Sequence, residues 1–246
     1  MMAFKVDVLW TDDALWALFW AIAAYGIRVA RHDNLRATWR RVLRDAPAMC
    51  SALVLGLFVV VTLLDSVHFR RALPSTDAQA ADKVFYDTRT ESLLDLVLAR
   101  PIGMRETTYS APLAYLAITK QSVERNGQTV RELPRLIHGG AHLTNSATQW
   151  EADLWQRGST GALAGLGLAL LASLGAAVLM RRAHGGVGAA WRAIAADRTT
   201  YPVRALLLTA TVGCRLGGAV VALAGHCHVF GTDRTGNDVL VQTLKS

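Results

Sequence analysis

The sequence predicts an all-α membrane protein with about four transmembrane helices and an external α/β or irregular insertion between the second and third. Hydrophobic residues make up 52% of the 246 positions and charged residues only 18%, a balance that favours a bilayer protein over a soluble domain. Four separate apolar stretches also approach the about 20 residues that a helix needs to cross a hydrocarbon core. These two observations carry the fold prediction.

The first two predicted spans run from Trp10 to Ile27 and from Asp45 to Asp65. Tryptophans of the first span suit the membrane interface. Acidic residues precede this span and arginines follow it, which is the reverse of a signal peptide. In the second span Pro47 lies in the first turn, where its missing N–H costs no hydrogen bond. Both segments are therefore predicted to be membrane helices.

The third predicted span, Gly158 to Met180, contains no charged residue, and Arg181 and Arg182 follow it directly. Small residues recur at every fourth position along it: Gly161, Gly165, Ala169, Ser173 and Ala177. Such a stripe lets the backbone of another helix approach closely. We therefore expect this face to pack against a neighbouring helix.

The fourth predicted span, Ala205 to Gly225, carries Arg215 near its middle. An arginine at that depth costs about 2.5–3.5 kcal/mol on insertion. Eight leucines and valines of the span offset this by about 2.4–4.8 kcal/mol: Leu206, Leu207, Leu208, Val212, Leu216, Val220, Val221 and Leu223. The free energy of inserting this span alone is therefore close to zero, and the span becomes credible if Arg215 faces a bundle interior or an aqueous cavity. Arg215 is thus a candidate pathway residue. The alternatives are an arginine that snorkels and one that pairs with another subunit.

The basic residues lie beside the apolar segments. Six arginines and two aspartates separate spans one and two, and five arginines and one aspartate separate spans three and four. The positive-inside rule therefore predicts that both loops are cytoplasmic. The domain prediction that follows is residues 1–65 for the first two helices, 66–156 for an external insertion, 157–225 for helices three and four, and 226–246 for an external segment. The net charge of +7 then reflects these loops, and no nucleic acid partner is expected.

Two local features are predicted within the insertion. Thr90 to Arg100 has leucines at helical spacing after a capping threonine, which predicts a short amphipathic helix. Asn126-Gly127, between Val123 and Val130, predicts the turn of a small hairpin.

The segment Phe230–Leu240 reads Phe-Gly-Thr-Asp-Arg-Thr-Gly-Asn-Asp-Val-Leu. It resembles the "HxFGTDxxGxDVL" signature of the C-type permease subunit of oligopeptide/dipeptide ABC importers. The matching positions include Gly231, Thr232, Asp233, Gly236 and Asp238, and Asn237 replaces the usual basic residue. Two further stretches, Glu106–Leu113 and Pro134–Leu143, are similar to a long-N-terminus subgroup of these permeases, more weakly.

The resemblance implies a multi-pass subunit of a bacterial-type inner (plasma) membrane. It would pair with a second permease subunit, cytoplasmic ATPase subunits and an external substrate-binding protein to import peptides or similar small solutes, without bond chemistry or a cofactor. These permeases couple to their ATPases through a cytoplasmic "EAA" loop well after the motif. No such loop occurs before Ser246, so a truncated, N-terminal portion is expected. The alternative is a non-transport membrane protein whose external segment binds a ligand or partner.

The residues of the motif predict a compact turn. Gly231 and Gly236 permit unusual φ angles, and Thr232 or Asp233 is expected to cap a helix that begins at Asp238. A structural turn that contacts partner subunits is favoured over ion or substrate contact.

Metal sites are weighed for two groups of residues. His138 and His142 have near-helical ligand spacing, but glycines separate them. His226 and His228 would share one face of an extended segment, with Cys227 on the other. Structural roles are favoured for both groups. We expect no metal, no disulfide among the three scattered cysteines and no catalytic residue, because nucleotide-binding and hydrolase motifs are missing from the sequence.

Overall fold

The computed structural model describes residues 4–7, 9–73, 85–125 and 128–245. Two compact units are described here separately: one contains residues up to Arg41, residues 54–99 and Lys245, and the other contains residues 42–53 and 100–244. The described chain is mostly helical, and four of its helices are long and apolar enough to cross a bilayer. This confirms the prediction of a mostly helical chain with four helices that could span a membrane.

The four long helices coincide with the predicted spans. They are α1 (Trp10–Arg31), α3 (Ala46–Asp65), α6 (Ser146–His184) and α8 (Val203–Ala224). Helix α6 begins well before the predicted span and ends at Gly185, whose φ of 78° closes the last turn as only a glycine does readily. Two helices that were not predicted, α2 (Asp33–Val42) and α7 (Val187–Ala195), occupy the two arginine-rich loops.

The first unit contains a small antiparallel sheet. The sequence predicted only an α/β or irregular insertion over residues 66–156, and no strand before the first span. Strand β1 (Phe4–Val6) pairs with β2 (His68–Leu73), which also pairs with β3 (Phe85–Tyr86) and β4 (Glu91–Ser92). The ring of His68 lies 2.9 Å from the carboxylate of Asp12 in the first turn of α1. The start of α1 and the chain after α3 are therefore held together.

The predicted helix over Thr90–Arg100 is wrong in its start and its continuity. The structure has α4 (Leu93–Val97) and α5 (Ala99–Gly103). Ser92, rather than Thr90, caps α4: its hydroxyl accepts the Asp95 N–H at 3.1 Å, and the Asp95 carboxylate accepts the Ser92 N–H at 2.9 Å. This reciprocal capping box fixes the start two residues later than predicted.

The predicted hairpin is present in its strands. Strand β5 (Gln121–Arg125) pairs antiparallel with β6 (Gln128–Glu132), and Val123 lies opposite Val130. Asn126 and Gly127, the predicted turn, lie outside the described residues.

The second unit is built on the pair α6–α8. The predicted stripe is confirmed: within the span portion of α6 the buried residues are Gly161, Gly165, Ala169, Ser173 and Ala177. A Cβ atom added at Gly165 would lie 2.0 Å from the backbone oxygen of Cys214, and one at Gly161 would lie 2.3 Å from that of Gly218. The two backbones are therefore in direct contact. Helix α7 packs Ala190 and Ile194 against Ala177, and α9 (Val239–Lys245) ends the described chain.

Candidate functional site

Three segments that are distant in the sequence meet where α6 begins and α8 ends. We call residues 106–118, 134–143 and 225–240 the three-segment site. The Thr232 hydroxyl donates to the Thr108 carbonyl at 2.9 Å, the Leu113 N–H donates to the His228 carbonyl at 2.9 Å, and the Gly140 N–H donates to the His226 carbonyl at 3.2 Å. Residues 225–240, which contain the motif, therefore pack on both the 106–118 and the 134–143 segments.

A fully buried histidine lies at the centre of the three-segment site. His228 is 0% exposed. Its Nδ1 lies 2.8 Å from a carboxylate oxygen of Asp238, and its Nε2 lies 3.4 Å from one of Glu106. Both carboxylates are also buried. Because a protonated imidazole donates from both nitrogens, an imidazolium between two carboxylates satisfies all three groups.

Backbone amides complete the coordination of the buried acids. The Glu106 carboxylate accepts the N–H groups of Ile137 and His138, each at 2.7 Å, and that of Gly139 at 3.1 Å. Asp238 accepts the Leu240 N–H at 2.8 Å. Because an unpaired buried charge is costly, these bonds hold the second negative charge that His228 does not neutralise. Glu106 thus ties the 134–143 segment to the motif.

The surroundings shift the pKa values of both groups strongly. Burial acts to lower the pKa of His228, but its bonds to Asp238 and Glu106, and their charges, outweigh it and raise the pKa from 6.5 to about 9. Burial likewise acts to raise the pKa of Glu106, but its bonds with His228 and with the amides of His138, Ile137 and Gly139 hold it at about 2. The network is therefore charged at neutral pH.

The folded protein should lose stability in mild alkali. A group whose folded pKa is raised stabilises the fold fully below its unfolded value and loses that contribution as pH rises through the folded value. We expect the thermal-unfolding temperature to decrease as the pH is raised from about 6.5 to 9. His228→Gln should remove this dependence of the unfolding temperature on pH. The matched control is His32→Gln, at an exposed histidine. An unchanged slope in His228→Gln would assign the pH dependence to other groups.

Two glycines let the motif backbone lie against the 106–118 segment. Gly231 has φ of 77° and Gly236 has φ of 80°, a region that other residues rarely adopt. An added Cβ at Gly231 would lie 2.3 Å from the Ser110 oxygen, and one at Gly236 would lie 1.8 Å from the Glu106 oxygen. The positions therefore require glycine for both conformation and contact, as expected for a turn.

The prediction that Thr232 or Asp233 caps the last helix is wrong. Asp238 is the cap, through its bond from the Leu240 N–H. The Asp233 carboxylate instead closes the turn, accepting the N–H groups of Thr235 and Asn237, each at 2.8 Å, and the Gln242 amide at 2.5 Å. Although partial burial acts to raise it, these bonds hold the pKa of Asp233 well below its usual range. The carboxylate is thus occupied by the turn itself.

The site is attached to both long helices of its unit. The indole N–H of Trp150, in α6, donates to the Leu113 carbonyl at 3.0 Å, and its ring packs on Tyr115 at 5.6 Å. At the end of α8, Ala224 packs with Val229 and Leu240. The turn is therefore joined to the helix pair through buried contacts.

The other histidines are arranged differently from the sequence expectation. Residues 226–228 form a turn rather than an extended segment, so Cys227 and His228 are both buried, whereas the ring of His226 packs on that of His142 at 5.1 Å. His142 also lies 2.8 Å from Asp153. Among the described ranges, no group of three or more His, Cys, Asp or Glu residues is placed to hold a metal ion.

Arg215 lies apart from this network, in a groove between α6 and α8. The groove has a volume of about 700 Å³ and is lined by Leu113, Glu151, Leu154, Trp155, Gly158, Ser159, Ala162, Leu163, Arg215, Ala219 and Leu223. Arg215 is exposed there. The predicted motif residues therefore lie in the three-segment site, and the predicted pathway residue Arg215 lies in the groove.

Sequence reasoning missed Glu106 and the role of His228. The two residues are 122 positions apart. His228 corresponds to the His that opens the permease signature, and Glu106 begins one of the two weaker resemblances, but nothing local indicates that they pair. An acid in a turn-rich stretch, two residues before Thr108, gives no local signal of burial. The arrangement can hold charge and fix a turn. The His228 Nε2 faces a carboxylate rather than a hydroxyl nucleophile, so the geometry is not that of a hydrolytic triad.

Comparison with protein-family models, with curated proteins and with solved structures gives no match for this chain.

Proposed function

We propose that this chain is a transmembrane permease subunit of an ABC-type importer for peptides or similar small solutes. It forms part of the solute pathway and performs no bond chemistry. Its partners are a second permease subunit, cytoplasmic ATPase subunits and an external substrate-binding protein, in a bacterial-type inner membrane. The proposal rests on one observation above all: the Phe230–Leu240 string resembles the permease signature and directly follows a candidate span.

The packing of the three-segment site supports the proposal. The Glu106–Leu113 stretch contacts the motif through the bonds of Glu106 to Gly236 and of Ser110 to Thr232. The Pro134–Leu143 stretch bonds to the Glu106 carboxylate and, through Gly140, to His226 just before the motif. Segments that resemble one permease subgroup thus pack together at the end of α8. Such a turn suits a structural role against partner subunits, which is the role we propose for Gly231, Thr232, Asp233, Gly236 and Asp238.

The charge pattern supports a specific orientation in the membrane. Helices α2 and α7 and their flanking arginines are proposed to lie in the cytoplasm, and the sheet, the hairpin and the three-segment site outside. Reporter domains fused near Arg40 and Arg192 should read cytoplasmic, and those near Gln121 and Gly236 external. A cytoplasmic reading at Gln121 would contradict the four-span arrangement.

The transport role is tested by uptake. In the source organism, deletion of this coding sequence should abolish ATP-dependent uptake of a labelled di- and tripeptide mixture, and the wild-type sequence should restore it. A matched amino-acid uptake assay controls for membrane energisation. Normal peptide uptake in the deletion strain would contradict the proposal and favour the second candidate, a membrane protein whose folded segment between α3 and α6 binds a ligand or partner.

A further inference from the structure

The groove between α6 and α8 contains a charge near the middle of α8, a candidate membrane span. Arg215 lies 12 residues after the first residue of α8 and nine before its last, or about 18 and 13.5 Å along the helix axis. Apart from Arg204 in its first turn, α8 carries no other charged residue. An anion that meets Arg215 must therefore reach well inside the membrane.

Arg215 has no ionic partner among the residues that the structure describes. Its side chain is exposed, and no residue of the described ranges forms an ion pair or hydrogen bond with it. Glu151 lines the same groove, but it lies in the second turn of α6. Arg215 lies beside Gly165, much further along α6. Glu151 and Arg215 are therefore at different levels of the groove. A charge left alone in hydrocarbon is unfavourable, and such residues normally pair or face a bundle interior.

The shape of the groove fits a helix. Four of its lining residues are small, namely Gly158, Ser159, Ala162 and Ala219, and most of the others are apolar. Small residues allow close helix–helix approach in membranes. A lipid headgroup lies outside the hydrocarbon core, which is about 30 Å thick, so it pairs with Arg215 only if the side chain snorkels from the middle of the helix towards the interface, whereas a partner helix presents its anion at the same depth.

A second copy of this chain does not supply the missing anion. The acidic residues of the four long helices lie in or near their terminal parts, at Asp12, Asp13, Asp65, Glu151 and Asp153. We therefore propose that the groove binds a transmembrane helix of another subunit that presents a carboxylate at the depth of Arg215. This inference requires only that α8 crosses a membrane, and it does not rest on solute import.

The probe for this proposal is a set of synthetic apolar helices of about 20 residues that differ only at the central position: Asp, Asn or Leu. Each is reconstituted with the full chain in phosphatidylcholine bilayers, and binding is measured by resonance energy transfer. We expect the Asp helix to bind about three- to twentyfold more tightly than the Leu helix. Arg215→Leu should remove this preference. Equal binding of the Asp and Leu helices would overturn the proposal.

A matched control moves the charge without changing its depth much. Arg215→Leu combined with Leu216→Arg places the arginine on an exposed position that does not line the groove, and the preference for Asp should be lost. Ala162→Leu, which fills the groove and keeps Arg215, should weaken binding of the Asp helix. A preference that survives relocation of the charge would contradict the groove as the site.

Two other occupants are separate outcomes of the same assay. If a soluble tripeptide displaces the Asp helix in an Arg215-dependent manner, the groove is a solute pathway and the helix proposal is wrong. If labelled copies of the chain associate through Arg215 without any probe helix, the partner is a second copy, and the proposal is again wrong.

Discussion

Gly165→Ala should destabilise the α6–α8 pair by about 1–3 kcal/mol, although alanine is the better helix former. The added Cβ would lie 2.0 Å from the Cys214 oxygen and 2.6 Å from its carbon. Both are backbone atoms, so relief requires that the helices move apart. The free energy of unfolding, measured by SDS titration in detergent micelles, gives the size of the effect.

Gly167→Ala is the matched control, because it makes the same change two residues later on the same helix. A Cβ at Gly167 has no atom within 4 Å. This variant should be neutral or gain up to about 1 kcal/mol from helix propensity. The two substitutions are thus expected to differ in sign. Equal effects would mean that α6 and α8 do not pack through the small-residue stripe.

Glu106→Ala should cost about 3–5 kcal/mol, because it removes one partner of a buried charged network. The change leaves the amides of Ile137, His138 and Gly139 without their acceptor and His228 without one of its two carboxylates. The loss should appear as protease cleavage within the 134–143 segment at lower urea concentration than in the wild type.

Glu124→Ala is the corresponding control. Glu124 lies on β5 and is exposed, so its loss should change stability by no more than about 0.5 kcal/mol. Glu106→Gln retains the shape and one acceptor oxygen but places an amide group among donors, so an intermediate loss is expected. If Glu106→Ala and Glu124→Ala behave alike, the buried network does not hold the three segments together.

The long helices were predictable because their signal is local. Span length and apolar content identify α1, α3, α6 and α8 directly, and the four-residue period from Gly161 to Ala177 identifies the packed face of α6. Helices α2 and α7 were missed, since their arginines led to their interpretation as loops. Trp39 and Val42, at helical spacing in α2, gave a signal for an amphipathic helix.

The site could be predicted only in part, because its contacts are long-range. The turn geometry could be predicted because Gly231 and Gly236 lie within the turn itself. The buried network joins Glu106 to His228 across 122 positions, and strand β1 pairs with β2 more than 60 positions away. The cap of α9 was mispredicted because the helix start was placed at Asp238 itself; with the start at Val239, Asp238 holds the N-cap position, directly before the first helical residue.

The motif is docked on the 106–118 segment, and we propose that this contact lies on the external side of the membrane. Ser110 and Thr232 lie opposite each other in an antiparallel bridge, and their hydroxyls are 3.1 Å apart, so cysteines at these positions are close enough to form a disulfide. In a background where Cys50, Cys214 and Cys227 are replaced by serine, Ser110→Cys with Thr232→Cys tests contact and location together, because disulfides persist outside the cytoplasm and are rare within it.

We expect this pair to be oxidised in intact cells without added oxidant, as read by mass spectrometry of the linked peptides. Ser110→Cys with Thr235→Cys, at an exposed position of the same turn, should stay reduced. If the Ser110/Thr232 pair has free thiols in cells and becomes linked only when membranes are treated with oxidant, the site lies in the cytoplasm. Thiols that remain free even then would contradict the docking of the motif itself.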